Sequence, residues 1–239
     1  MKERLDTLLA KNGYYSSRQK AKEAIELGRV KVDDILQQKP SIEVDENAKI
    51  EAKPFEFVSR GGFKLQKAIE EFNINLKDRV VLDIGASTGG FSDVCLQGGV
   101  KKVYCVDTGA GQLAEKILND KRAVNLEKTN YLTLSKEKFS GVNLVVIDVS
   151  FVSLTLLSTK LSNDFEHIDI IALIKPQFEC GADYARKHKG IVKDEKVRQK
   201  VIESVCKNFE SKGFVIKNII TSPIKGGDGN VEFLAWIKK

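Results

Sequence analysis

From about residue 63 onwards, short apolar runs alternate with amphipathic stretches. The apolar runs predict strands near residues 79–84, 101–107, 121–126, 143–148, 168–174, 214–220 and 231–237. Helical periodicity predicts helices near residues 89–98, 111–119, 153–161 and 194–212. This alternation is typical of a parallel sheet. Because a short, turn-rich segment joins the last two strands, we expect the final strand to be antiparallel. The pattern therefore predicts an α/β fold with a seven-stranded, mostly parallel sheet.

The first 57 residues have a different pattern, which predicts a separate small α+β domain. Leu5, Leu8 and Leu9 repeat at helical spacing, and Ser16 or Ser17 is expected to cap a second helix that ends at Gly28. A hairpin should follow. We expect domains at residues 1–57 and 63–239, joined by a linker at 58–62 that has a helix directly after it.

Composition is that of a globular protein, but the basic charge is concentrated near the N-terminus. The chain has 239 residues, a net charge of +6 and 42% hydrophobic residues. Residues 1–31 contain eight Lys and Arg against four Asp and Glu, a net of +4, whereas residues 32–58 contain three against seven, a net of −4. A basic face for phosphates and an ordinary solvated surface are both compatible with this charge.

The four cysteines and two histidines show no metal-ligand spacing and no disulfide framework. We therefore expect no metal and reduced thiols. No segment has the apolar length of a signal peptide core or a membrane span. The expected location is the cytoplasm without membrane contact, and no apolar patch requires a dimer, so the oligomeric state stays open and a monomer is compatible.

A glycine-rich turn follows the first predicted strand of the large domain, in the sequence Val81-Leu82-Asp83-Ile84-Gly85-Ala86-Ser87-Thr88-Gly89-Gly90-Phe91. Glycine allows a tight turn and lets a ligand approach backbone N–H groups. The next strand ends at Asp107, a carboxylate suited to ribose hydroxyls. These features predict a site for a cofactor that contains adenosine.

Three further polar residues are expected at the same edge of the sheet. Asp148 and Lys175 follow predicted strands, and Glu232 begins the antiparallel one. Each could instead be a helix cap or a solvated side chain, but their joint placement beside a cofactor turn favours a functional site.

Two resemblances make this reading specific. Arg4-Leu5-Asp6, Ser17-Arg18 and Gly28-Arg29-Val30-Lys31-Val32 resemble the S-four-type RNA-binding domain. The remaining motifs resemble the TlyA family, which joins that domain to an FtsJ-like, Rossmann-like class I methyltransferase; they are Arg60-Gly61-Gly62-Phe63-Lys64, the glycine-rich turn, Asp148-Val149-Ser150-Phe151, Lys175-Pro176-Gln177-Phe178-Glu179 and Gly229-Asn230-Val231-Glu232.

The TlyA resemblance implies S-adenosylmethionine-dependent ribose 2′-O-methylation of ribosomal RNA, with cytidine as the expected nucleotide and ribosomal RNA or ribosomal subunits as partners. It implies a catalytic tetrad of Lys64, Asp148, Lys175 and Glu232. Lys175 is the expected base, since removal of the hydroxyl proton must accompany attack on the methyl group. Lys64 is expected to steer the hydroxyl or a phosphate, and Glu232 to position a lysine.

The predicted binding residues complete this hypothesis. For the cofactor they are Asp83, Gly85, Ala86, Ser87, Gly89, Gly90, Asp107 and Asp148, with adenine near residues 127–130. For RNA they are Arg4, Arg18, Lys20, Lys22, Arg29, Lys31 and Arg60.

Two alternatives remain from the sequence. A dinucleotide-dependent dehydrogenase would normally have a second early glycine in the turn, which is absent after Gly85. A non-catalytic RNA-binding or haemolysin-like protein could retain the fold, although no amphipathic insertion segment stands out.

Overall fold

The computed structural model describes residues 1–239, which form two compact units, residues 1–56 and 57–239. The N-terminal unit has two helices and five short strands. They are β1 (Lys2–Arg4), α1 (Leu5–Lys11), α2 (Arg18–Glu26), β2 (Val30–Val32), β3 (Ile35–Gln37), β4 (Glu43–Asp45) and β5 (Ile50–Ala52). Strand β1 pairs with β4, and the order of the second sheet is β3-β2-β5, with all pairs antiparallel.

The predicted helix-helix-hairpin arrangement of this unit is confirmed. Ser17 caps α2, because its hydroxyl accepts a hydrogen bond from the backbone N–H of Lys20. Asp33 and Asp34 both have left-handed backbone angles, φ 49° and 64°, as a tight hairpin turn requires. Apolar side chains of both helices form the core together with those of β2.

The C-terminal unit contains seven helices and seven strands. They are α3 (Gly61–Glu71), β6 (Val80–Ile84), α4 (Gly90–Gln97), β7 (Lys102–Val106), α5 (Glu115–Leu118), β8 (Ala123–Leu126), β9 (Leu144–Ile147), α6 (Leu154–Asp164), β10 (Asp169–Ile174), α7 (Pro176–Glu179), α8 (Ala182–Lys187), α9 (Glu195–Glu210), β11 (Val215–Thr221) and β12 (Phe233–Lys238). The strand order is β11-β12-β10-β9-β6-β7-β8.

The predicted sheet is confirmed. Strand β12 is antiparallel to both neighbours, β10 and β11, while the other pairs are parallel. Alternate residues of each central strand face two separate apolar cores, so that Val81 packs on one side and Leu82 on the other. Helices cover both faces, which explains why the central strands are apolar throughout.

The structure differs from the predicted elements in three places. Helix α5 is shorter than the predicted 111–119. Helix α3 begins at Gly61 rather than directly after residue 62, with Gly62 packed so closely on Phe57 that a Cβ atom would lie 2.5 Å from the ring. Helices α7 and α8 were not predicted at all. No helix in the chain has the length and apolar character needed to cross a membrane.

Candidate active site

Strand register brings three of the four tetrad residues to one edge of the sheet. Ile174 in β10 pairs with Phe233 in antiparallel β12, so Lys175 and Glu232 lie on adjacent strands. In β9, Ile147 pairs with Ala172 of parallel β10, and Asp148 follows it directly. The convergence expected from strand ends is therefore present in the structure.

Lys175 forms an ion pair with Asp148. Its Nζ lies 2.6 Å from Asp148 Oδ1, in a direction that makes no well-formed hydrogen bond to that oxygen, and it donates a hydrogen bond of 3.1 Å to Ser150 Oγ. The lysine side chain is 10% exposed and that of the aspartate 21%. The amine is thus held at the rim of the protein interior, where a substrate can still reach it.

Lys64 forms a second, more deeply buried pair with Glu232. Lys64 Nζ donates to Glu232 Oε2 at 2.6 Å, and the two side chains are 7% and 2% exposed. The other carboxylate oxygen accepts a 3.2 Å hydrogen bond from Gln177 Nε2. Because Gln177 lies two residues after Lys175, helix α7 connects the two ion pairs. Buried pairs contribute little net stability but fix positions when all their partners are present.

A cavity of about 440 Å³ opens beside Asp148, at the carboxyl ends of β6, β7 and β9. Gly85, Ser87, Asp107 and Asp148 line it, as predicted for the cofactor. This is the edge where ligands bind in open α/β sheets, and the volume is in the usual range for small-molecule sites, roughly 300–1,000 Å³.

Asp107 and Gly85 shape the entrance of this cavity. The two oxygens of Asp107 accept hydrogen bonds from the backbone N–H groups of Ser87, at 2.8 Å, and Gly109, at 2.7 Å. The carboxylate is therefore fixed while retaining lone pairs for hydroxyl groups. Gly85 has φ +88°, and a Cβ atom there would lie 2.5 Å from the carbonyl oxygen of Asp148, so this position requires glycine.

The far end of the cavity is lined by Thr129, Asn130 and Tyr131, which overlaps the region predicted for adenine. Glu127 stabilises the neighbouring loop. Hydrogen bonds from the Asn125 side chain and from the backbone N–H of Gln112 lower the pKa of Glu127 to about 2. The carboxylate is ionised at neutral pH and holds the loop at the cavity wall.

Asp83, which was predicted as a cofactor-binding residue, has a buried position in the structure. Its carboxylate is fully buried, does not line the cavity and accepts a 2.6 Å hydrogen bond from Ser92 Oγ, which also lies 3.1 Å from Cys105 Sγ. Desolvation raises the pKa of Asp83 to about 7. Alternation along β6 places Asp83 on the same face of the sheet as Val81, where Ser92 of α4 contacts it.

Ala86, Gly89 and Gly90 also lie outside the lining of the cavity. Gly90 has a packing role instead. A Cβ atom at this position would lie 2.3 Å from Ser59 Oγ and 3.0 Å from the backbone nitrogen of Gly62. The glycine allows residues 59–62 to approach α4 closely, which the motif alone did not reveal.

Sequence reasoning assigned no role to an exposed aromatic residue at this site. Phe151 lines the cavity, is 89% exposed and has φ +65°. Its ring lies 4.9 Å, centroid to centroid, from that of Phe178. A left-handed backbone at a bulky residue is uncommon and is often found at functional sites. Its place directly after Asp148-Val149-Ser150 was the only available signal.

In the N-terminal unit, Arg4 and Arg18 converge on buried Asp6. Arg4 donates two hydrogen bonds, of 3.1 and 2.8 Å, and Arg18 Nε lies 3.2 Å from the same carboxylate. Burial raises the pKa of Asp6, but the hydrogen bonds and charges of the two arginines outweigh it and lower the pKa overall. Together with Lys22, these groups line a second cavity of about 480 Å³.

The other predicted RNA-binding residues have different surroundings. Lys20 and Lys31 form surface ion pairs with Glu23 and Glu51, at 3.6 and 3.9 Å. The side chain of Arg29 is 14% exposed and donates hydrogen bonds to Pro54 O and Glu56 Oε1. Arg29 therefore stabilises the last residues of the N-terminal unit, which ends at Glu56.

Arg60 belongs to the C-terminal unit and lies near the tetrad. Its Nη2 is 3.3 Å from the place that a Cβ atom of Gly227 would occupy. The adjacent Gly226 has equally little space, since its Cβ atom would lie 2.5 Å from Glu232 Oε1. The loop before β12 thus brings the arginine and the carboxylate into one region.

Comparison with known protein families decides between the readings left open by the sequence. Residues 57–239 match the model of the FtsJ-like methyltransferases. The chain belongs to this family. Residues 3–50 match the S4 domain, which confirms the resemblance expected for the N-terminal segment. The protein is therefore a methyltransferase of the FtsJ-like type with an N-terminal S4 domain, and the dehydrogenase reading is excluded.

Full-length relatives are similar to both parts of this FtsJ-like protein. The 16S/23S rRNA (cytidine-2'-O)-methyltransferase TlyA of Mycobacterium tuberculosis is 38% identical, with 98% of this chain and 89% of the relative covered. Hemolysin A of Brachyspira hyodysenteriae is also 38% identical, with coverage of 97% and 98%. A solved structure described as a "putative hemolysin" from Streptococcus thermophilus has a TM-score of 0.75 at 39% identity, covering 100% of this chain and 88% of that one.

Proposed function

We propose that this protein methylates the 2′-hydroxyl of a ribose in ribosomal RNA, with S-adenosylmethionine as methyl donor. The observation that carries the proposal is the position of Asp148, which lines the cavity of the methyltransferase fold and forms an ion pair with Lys175. This contact supports a role for the lysine amine beside the proposed cofactor site. The relative from Mycobacterium tuberculosis, whose name specifies cytidine, supports cytidine as the modified nucleotide.

The cavity residues fit S-adenosylmethionine. Gly85 lines the cavity at the glycine-rich turn, and the fixed carboxylate of Asp107 is suited to a pair of ribose hydroxyls. When bound, S-adenosylmethionine supplies a methyl group on a positively charged sulfur. Asp148 offers a negative charge at the same wall, which favours a cationic ligand.

Lys175 is the proposed proton acceptor. A ribose hydroxyl is a weak acid, so its O–H bond must break as the oxygen attacks the methyl group. In this proposal the ammonium group of Lys175 first loses a proton to solvent, and the neutral amine then takes the proton of the hydroxyl. Asp148 and Ser150 orient the amine through the contacts described above. Orientation of this kind lowers the entropic part of the barrier.

Lys64 and Glu232 are proposed to hold the substrate rather than to transfer the proton. In this role the carboxylate of Glu232, 2.6 Å from Lys64 Nζ, holds the amine in place, and the amine can donate a hydrogen bond to the ribose oxygen or to an adjacent phosphate. Arg60, near the same loop, is a further candidate for a phosphate contact. The exposed ring of Phe151 is available to stack on an unpaired base, as aromatic residues do in RNA recognition.

The N-terminal unit is proposed to capture the RNA. Its cavity collects three cationic side chains, of Arg4, Arg18 and Lys22, around one carboxylate, which leaves a net positive site suited to a backbone phosphate. We propose that residues 1–57 form the RNA-binding domain and residues 63–239 the methyltransferase domain. Because ribosomal RNA is a cytoplasmic substrate, we propose a cytoplasmic location as well.

Incubation of purified ribosomal subunits with S-adenosylmethionine labelled in the methyl group tests this function. Incorporation into the RNA of at least one subunit is expected, with measurable binding of S-adenosylmethionine and none of NAD by calorimetry. Lack of incorporation into both subunits and into protein-free ribosomal RNA would refute the proposal.

A further inference from the structure

Glu179, the last residue of α7, joins two segments of the candidate active site. Its Oε2 accepts a 2.6 Å hydrogen bond from Ser153 Oγ, and its Oε1 accepts a 2.7 Å hydrogen bond from the backbone N–H of Leu154. Those two residues begin α6, in the segment that follows Asp148. A single carboxylate therefore binds the segment after β9 to the segment after β10.

Helix α6 has two side-chain acceptors at its N-terminus, the hydroxyl of Ser153 and the carboxylate of Glu179. Ser153 already caps the helix, because its hydroxyl accepts a hydrogen bond from the backbone N–H of Thr155. The second acceptor comes from a different part of the chain, 25 residues beyond Leu154. Glu179 therefore also holds α6 against α7. This contact fixes the residues of both segments that lie near the cavity.

The two segments carry the groups whose separation matters most. Asp148, Ser150 and Phe151 belong to the first, and Lys175 belongs to the second. Besides the hydrogen bonds of Glu179, the two segments contact each other where Lys175 meets Asp148 and Ser150, and where the ring of Phe151 meets that of Phe178. Phe151 is exposed and has an unfavourable φ of +65°, so its segment needs external support to keep that conformation.

Because Glu179 is largely buried, its carboxylate depends on the hydrogen bonds from Ser153 and Leu154. Desolvation raises its pKa, while the hydrogen bonds from Ser153 and Leu154 act in the opposite direction. A group that loses water on burial needs both donors in place. Movement of α6 relative to α7 would leave the carboxylate with unmet hydrogen bonds, so the two segments are held at a fixed separation.

We propose that Glu179 is a positioning residue for methyl transfer, which fixes the distance between Lys175 and Asp148 by holding the start of α6 against α7. The proposal rests on the function proposed above, since it concerns the same site. Glu179 itself touches no reacting atom. Its effect should appear in the rate of the bound complex, because a misplaced reacting group lowers the rate without removing the binding surface.

Glu179→Ala and Glu179→Gln test the proposal, with Asn208→Ala as a matched control. Gln can accept from Leu154 and donate to Ser153, so it should retain kcat within about threefold of the wild type, whereas Ala should lower kcat at saturating cofactor by about 10- to 100-fold. The control removes a different hydrogen bond between α6 and another helix, from Ser158 Oγ to Asn208 Oδ1 at 2.6 Å, and neither residue lines the cavity. It should lose stability to urea but not kcat.

Binding of S-adenosylmethionine, measured by calorimetry, should change less than about threefold in all three variants, since none removes a group that lines the cavity. Should Glu179→Ala fail to fold, Glu179→Asp keeps the charge but is too short to reach both donors, and it should show the same loss of kcat. The proposal would be overturned if Glu179→Ala had the same kcat as Asn208→Ala. If the alanine variant does not fold, the same comparison applies to Glu179→Asp. A wild-type protein that transfers no methyl group would instead refute the proposed function.

Discussion

The basic residues of the two units have the same charge but very different surroundings. Arg4 and Arg18 in the N-terminal unit have side chains that are 44% and 59% exposed, whereas Lys64 and Lys175 in the C-terminal unit are 7% and 10% exposed. Exposed cations attract phosphates over a distance and are screened by salt. Buried cations lose that reach, but their positions are fixed by the partners that surround them. The difference agrees with the proposed roles, which are RNA capture for the exposed group and methyl transfer for the buried group.

The largest effect is expected where the buried amine is removed. Lys175→Met keeps the length of the side chain but has no proton acceptor, so the methylation rate should fall by about 100- to 10,000-fold. Binding of S-adenosylmethionine should be nearly unchanged, because Lys175 does not line the cavity. Rates are measured by label transfer and affinity by calorimetry.

Lys67→Met is the control for this variant, since Lys67 lies on the exposed side of α3 and pairs only with Glu71. It should retain the full rate. Full activity of Lys175→Met would exclude the amine as the base and would remove the proposed distinction between the two groups.

A smaller effect is expected from the exposed group. Arg4→Gln together with Arg18→Gln removes two charges but leaves amide donors for Asp6. RNA affinity should fall, and the slope of log affinity against log salt concentration should become shallower by about two. Titration of ribosomal RNA fragments at several salt concentrations measures both quantities, while kcat at saturating RNA should be unchanged.

Lys11→Gln together with Lys49→Gln is the matched control, because it makes the same change in net charge in the same unit outside the cavity. If the control alters the salt slope as much as the arginine variant does, the cavity is not a specific phosphate site.

The smallest effect concerns a buried carboxylate outside both groups. The pKa of Asp83 is raised to about 7, so between its ordinary value near 4 and pH 7 the folded protein retains a proton that the unfolded chain has released. The free energy of unfolding should therefore fall as pH rises through this window. Asp83→Asn keeps the shape and removes the titration, so the variant should show a flatter pH dependence in urea unfolding. An unchanged slope would show that Asp83 titrates in the ordinary range.

Much of the fold was predictable because the information is local. Apolar runs predicted every strand of the seven-stranded sheet, and the short connection before β12 predicted its antiparallel direction. Given that topology, Asp148, Lys175 and Glu232 had to lie at one edge. Strand direction was therefore enough to predict the positions of these three tetrad residues, and the family resemblance added Lys64.

The missing parts of the site depend on contacts between residues far apart in the sequence. Gln177 and Glu179 bind partners 55 and 25 residues away, and no periodicity marks them. Helix α7 was missed because its four residues are too few to show helical periodicity, although proline is well suited to the first position of a helix. The motif predicted a cofactor contact for Asp83, but it gave no sign of the buried hydrogen bond from Ser92, which lies nine residues away.

The most direct test of the account is the chemical position of the methyl group that the protein transfers. Ribosomal subunits are incubated with labelled S-adenosylmethionine, the RNA is digested to nucleosides, and the labelled product is analysed by mass spectrometry. The account predicts that the added methyl group is on the ribose 2′-oxygen, in 2′-O-methylcytidine, and that Lys175→Met forms almost none of it. A methyl group on the base, or equal formation of the ribose product by that variant, would contradict the account.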